Sequence, residues 1–192
     1  MLLALLAACE TAGVPRDPSP AASLPPLNDV AFFEDLYGED LAALGLRFTR
    51  AARFEENLGH APYSPSPTGT HLALYAEPVG TYTAERFLGN IAPLTQVFRD
   101  VFERWPGLTS FDICQEPIQS EATEEREPVP ASQVRISKTQ ALALDWDRLD
   151  LPILIRAATR KPPQIILFVS RRLRGHPAYE RALRAAGQPV NR

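Results

Sequence analysis

His60 and His71 stand eleven residues apart, Glu77 follows six residues later, and Glu55 and Glu56 lie just upstream. Two imidazoles and a carboxylate make the donor set of a catalytic metal site that keeps one coordination position open. The spacing is not that of H-E-x-x-H, in which one helical turn brings both imidazoles to a single face. The set His60, His71 and Glu77 therefore supports an extracytoplasmic metal-assisted hydrolase as the alternative function. The plainer reading of both histidines is as surface residues.

Asp145, Asp147 and Asp150 form a D-x-D-x-x-D cluster. Three carboxylates suit a hard cation, but the glycine and distal glutamate of a calcium loop are missing. Helix capping accounts for Asp147 or Asp150 at lower cost. Cys114 is a candidate nucleophile by residue type alone. A reactive thiolate needs a base or a positive dipole, whereas Asp112 and Glu116 stand close in sequence and disfavour the anion. A structural thiol in a strand is the expectation. There is no G-x-S-x-G, S-x-x-K or glycine-rich phosphate loop. No catalytic residue and no cofactor is assigned.

Charge is laid out unevenly. From residue 160 onward the basic residues are Arg160, Lys161, Arg171, Arg172, Arg174, Arg181, Arg184 and Arg192, against the single acid Glu180. Residues 112–127 are acidic. Arg171, Arg172 and Arg174 are the candidate contact for anionic lipids, anionic wall polymers or other envelope proteins. The whole chain carries a net charge of −3, which does not suggest nucleic-acid binding.

The first nine residues, MLLALLAAC, are a short apolar run closed by small residues and a cysteine. Leu6-Ala7-Ala8-Cys9 resembles the lipobox of bacterial lipoproteins. That resemblance implies cleavage before Cys9, lipidation of Cys9, and a place on the extracytoplasmic side of a cell membrane or outer membrane. It covers the signal segment only. No Lys or Arg precedes the apolar run, so a basic start upstream of Met1 is expected, residues 1–8 being the rest of the signal peptide. An unprocessed Met1 would instead leave the chain cytosolic with Cys9 an ordinary thiol. Residues 9–27 then read as a tether. Pro15, Pro18, Pro20, Pro25 and Pro26 favour extended backbone that could reach roughly 55 Å at about 3.1 Å per residue.

Residues 28–192 suit one domain with a sizeable core. With only two cysteines, and Cys9 lipidated, that core rests on packing without a disulfide framework. A helix capped by Asn28 or Asp29 is expected to run to about Leu44, with Phe32, Phe33, Leu36, Leu41 and Leu44 near one face and Gly45 as its stop. Leu46 to Phe54 alternates with period two, and His71–Glu77 reads as its antiparallel partner across a long Pro-rich loop.

Phe87, Ile91, Leu94, Phe98, Val101 and Trp105 recur at 4-3-4-3-4 spacing, one apolar stripe on a helix from about Ala84 to Trp105 that Pro93 should kink or restart. Strands are expected at Ser110–Glu116, at Gln133–Ile136 and at Ile165–Val169, the last a continuous apolar run read as covered on both sides. Short helices are expected at Lys138–Leu144, from Asp147 or Asp150 to Thr159, and from Pro177 to Ala186. The pattern predicts an α/β fold, a two-layer α/β sandwich with a mixed sheet. The expected function is that of a non-enzymatic, membrane-anchored binding or assembly module.

Overall fold

The computed structural model describes residues 24–26, 29–55, 70–116 and 130–190. Five strands form one mixed sheet in the order β1-β2-β3-β4-β5, which is the chain order. β1 (Leu46–Glu55) pairs antiparallel with β2 (Thr70–Pro78), so the expected hairpin is present, with a register shift between Phe48 and Arg50. β2 runs parallel to β3 (Leu108–Gln115), and β3 pairs antiparallel with β4 (Ser132–Ser137). β4 pairs antiparallel with β5 (Ile166–Val169).

The parallel step from β2 to β3 needs a crossover. It is made by α2 (Ala84–Val97) and α3 (Val101–Arg104). Thr83 caps α2 by accepting the Arg86 amide, and Glu85 stands in the first turn, where the positive end of the helix dipole favours it. The sequence stripe holds: Phe87, Ile91, Leu94, Phe98, Val101 and Trp105 are all buried. The single long helix does not. Pro93 lies inside α2, and the helix ends at Val97, turns through Phe98–Asp100 and restarts as α3. The apolar face is what packing required, and it survives the break.

α1 (Val30–Ala43) starts where Asp29 accepts the Phe32 amide. It ends at Gly45, whose φ of +71° is a left-handed conformation that glycine adopts at no steric cost. Its buried residues are Phe33, Tyr37 and Leu41, while Phe32 is exposed. Tyr37 was not expected inside. Its ring packs edge-on to Phe98 at 4.8 Å, and its hydroxyl donates to Asp100 at 2.9 Å, which satisfies the polar tip. Phe33 meets Trp105 at 5.6 Å and Phe102 meets Phe111 at 5.4 Å, so aromatic edges tie α1 and α3 onto the sheet.

Leu72, Leu74, Phe111, Ile113, Val134 and Ile136 supply the sheet side of this core. α4 (Lys138–Ala141), a 3₁₀ turn (Trp146–Arg148), α5 (Leu151–Thr159), α6 (Arg171–Arg174) and α7 (Pro177–Ala185) complete the helical elements of the described residues. α1 packs on β1, α2 on β3 and β4, α5 on β5, and α7 on α5. Buried helix residues and one sheet face share a single apolar cluster, so the fold is a two-layer α/β sandwich. Ser137 and Gln140 form a reciprocal capping box at α4.

β5 departs from expectation. It lies at the sheet edge, and Ile166, Leu167 and Phe168 are only half-buried. An apolar run does not distinguish a strand enclosed on both faces from an edge strand carrying one helix layer.

Candidate functional site

A polar cluster sits on the sheet face opposite the helices. Alternation along β3 sends Phe111 and Ile113 into the core and turns Ser110, Asp112 and Cys114 the other way. Parallel pairing sets His71 of β2 against Ser110. Antiparallel pairing sets Gln133 of β4 against Cys114, diagonal to Asp112. Register therefore assembles side chains that are 39 and 41 residues apart in the chain.

His71 Nδ1 lies 2.8 Å from Ser110 Oγ, and His71 Nε2 lies 3.2 Å from Asp112 Oδ2. Gln133 Nε2 donates to the same Asp112 oxygen at 2.8 Å. The Cys114 thiol faces the other oxygen, Oδ1, at 3.9 Å. An ionised carboxylate only accepts, so Nε2 carries a hydrogen. In the neutral imidazole the Ser110 hydroxyl then donates to Nδ1; in the imidazolium Nδ1–H donates to Ser110.

The neutral form has the connectivity of a serine–histidine–carboxylate relay. Its setting differs from that of a working relay. Ser110 is 5 % exposed, His71 2 % and Asp112 6 %, and β3 is the middle strand, paired on both sides. A hydrolytic serine needs its oxygen open to a carbonyl and free amides aimed at the oxyanion. Here the strand amides serve the ladders to β2 and β4.

Cys114 is buried, as expected of a structural thiol, though on the face away from the helices. Burial pushes its pKa well above the ordinary thiol range, and the charges of Asp112 and Glu116 push the same way. The thiol stays protonated at neutral pH. Further along this face, the Arg50 guanidinium stacks 3.8 Å from the Tyr75 ring centre and lies 3.8 Å from Glu116. Burial foremost, then the charges of Cys114 and Asp112, raise the pKa of Tyr75.

The candidate metal set does not come together. His71 and Glu77 lie six residues apart on β2, about 20 Å at roughly 3.3 Å per residue. Arg47 Nε donates to Glu77 at 2.8 Å, while His71 is held by Ser110 and Asp112. The reading of His71 as a surface histidine is overturned, because β3 supplies polar partners inside the sheet. His60 lies outside the described residues. Among the described residues no group of three or more His, Cys, Asp or Glu is arranged to hold a metal ion. In the aspartate cluster, Asp150 caps α5 by accepting the Ile153 amide at 2.6 Å. Asp147 lies 3.7 Å from Arg99, and Asp145 precedes the 3₁₀ turn without a side-chain capping bond.

Arg171, Arg172 and Arg174 are exposed on α6, a short helix in the stretch between the expected strand at Ile165–Val169 and the expected helix from Pro177, where no element is expected. Cys9 lies outside the described residues. Among those residues no helix is long and apolar enough to cross a membrane.

Ser110, Asp112 and Gln133 were missed at the sequence level. Their signal was the polar–apolar alternation of Ser110-Phe111-Asp112-Ile113, which places two polar groups on one face of a strand. Only the register shows that His71 faces them.

The architecture is a two-layer α/β sandwich with a five-stranded mixed sheet and a buried polar bridge across β2, β3 and β4. No family model, no curated protein and no solved structure matches the chain.

Proposed function

We propose that the protein is an envelope lipoprotein, anchored through Cys9, whose domain acts as a binding or assembly module without catalysing a reaction. The observation that carries this reading is the apolar run ending in Leu6-Ala7-Ala8-Cys9, followed at once by a polar, Pro-rich stretch. The site geometry supports it from the other side. His71, Ser110 and Asp112 are buried against one another, and the Cys114 thiol is held in its protonated form. Groups so engaged stabilise a sheet. The partner is an anionic lipid or wall polymer, or another envelope protein, met through Arg171, Arg172 and Arg174.

The test is the intact mass of the protein recovered from a bacterial membrane fraction, expressed from its gene with the adjoining upstream sequence. A species beginning at Cys9 with an added diacylglyceryl group is expected. A chain retaining Met1 and carrying no lipid would overturn the reading.

A further inference from the structure

Charge in this protein is separated in space as well as along the chain. Eight of its 20 basic residues and one of its 23 acidic residues fall within residues 160–192. The fold gathers seven of the basic residues at one side of the sheet; Arg192 lies outside the described residues. Arg160 and Lys161 lead into β5, and Arg171, Arg172 and Arg174 follow it on α6, all five exposed. α7, packed on α5 beside this edge, adds exposed Arg181 and Arg184. Glu180, the one acid of this segment, lies 3.6 Å from Arg184, while Asp145 lines a groove with Arg160, and Glu85 and Asp150 line one with Arg181.

The opposite edge is β1, covered by α1. α1 exposes Glu34, Asp35, Glu39 and Asp40. Of the three arginines of β1, Arg47 is committed to Glu77 and Arg50 lies against Glu116, so at most Arg53 offsets the four acids. Five strands at about 4.8 Å spacing set the two edges roughly 19 Å apart. That exceeds the Debye length of about 8 Å at physiological ionic strength, so a surface meeting one edge senses that edge's charge and not the net charge of the chain.

We infer that the β5 edge, with Arg160, Lys161 and α6, is the face that docks on an anionic phospholipid leaflet, with the acidic α1 turned away. The inference rests on the lipoprotein reading, which places such a leaflet within reach. The tether joins the domain on the acidic side, where Arg53 donates to the Pro25 carbonyl at 2.6 Å. With Leu24 and Pro25 packed on the domain, the expected tether of residues 10–23 could span roughly 43 Å at about 3.1 Å per residue, which exceeds the width of the sheet, so the domain can roll its basic edge onto the membrane. The leaflet repels one edge and attracts the other, and this selects the orientation.

The experiment uses the full chain carrying Cys9→Ser, which cannot be acylated, and sedimentation with phosphatidylcholine vesicles with or without phosphatidylglycerol. Binding to the anionic vesicles alone, released by added salt, is expected. R171E/R172E/R174E should weaken it by more than roughly a hundredfold, at about a fivefold change per cationic residue lost near an anionic surface, with the repulsion of the added carboxylates on top. R171K/R172K/R174K should retain it, since charge and not guanidinium geometry is read.

Equal binding to both vesicle types would overturn the inference, as an apolar contribution from residues 1–8 would produce. Binding unaffected by the glutamate variant would do so too. So would binding to soluble poly(glycerol phosphate) but not to vesicles, which would assign the face to a wall polymer. Because this chain carries no lipid, the vesicle result and the intact-mass result fail separately.

Discussion

His71 bridges Ser110 and Asp112 across two parallel strands, its Nδ1 2.8 Å from the hydroxyl and its Nε2 3.2 Å from the carboxylate. All three are buried, and Gln133 from a third strand completes the carboxylate's shell. Leaving a buried charge without its partner costs about 3–5 kcal/mol. His71→Ala and Gln133→Ala strand Asp112 to different extents. Urea unfolding should therefore show a loss of about 3 kcal/mol for His71→Ala and about 1 kcal/mol for Gln133→Ala. Wild-type stability in His71→Ala would remove the structural role given to this bridge.

A fluorophosphonate probe separates the bridge from a hydrolytic relay. Ser110 is 5 % exposed on a central strand, so native protein should remain unlabelled. Labelling that Ser110→Ala abolishes would establish an activated serine and overturn the non-enzymatic reading.

The Cys114 thiol is held protonated by burial, with Asp112 and Glu116 adding to the effect. A group whose pKa is higher in the folded state keeps its proton after the unfolded chain has lost it. Between the two values the native state binds more protons, so stability falls as pH rises. The decline should begin near the ordinary thiol value of about 8.5 and continue as pH climbs. Tyr37, raised by burial and by Asp100, adds a second decline above about 10. Unfolding free energies measured in a Cys9→Ser background from pH 7 upward should show the first decline. Cys114→Ala should flatten it and leave the second. An unchanged slope in that variant would contradict the assignment.

Asp150 accepts the Ile153 amide at the start of α5, whereas Asp145 makes no capping bond. Asp150→Ala should lose about 1 kcal/mol of stability, the usual worth of an N-cap, and Asp145→Ala should stay within about 0.5 kcal/mol of wild type. Calcium should not shift the melting temperature of either. A calcium-dependent rise abolished by Asp145→Ala would show a cation site in place of a cap.

Local patterns carried much of the fold. Asp29 and Thr83 announced their helices because a short oxygen-bearing side chain before an apolar repeat satisfies free amides. The stripe from Phe87 to Trp105 fixed which face is buried even though the helix breaks after Val97. Tyr37 was not legible, because its burial depends on Asp100, 63 residues away, receiving the hydroxyl. Nor was the edge position of β5, since apolarity reports what a strand can bury and not how many layers cover it.

By itself the sequence determined the period of each element, the long-looped hairpin, the mixed α/β class and the crowding of basic residues after residue 159. Each follows from short-range physics: side-chain periodicity, capping, and charge counted along a chain. Tertiary structure alone decided that His71 meets Ser110 and Asp112 and not Glu77, and that the exposed acids of α1 and the arginines of α6 stand at opposite sheet edges. Those relationships depend on strand order and register, which couple residues about 40 positions apart and leave no local trace.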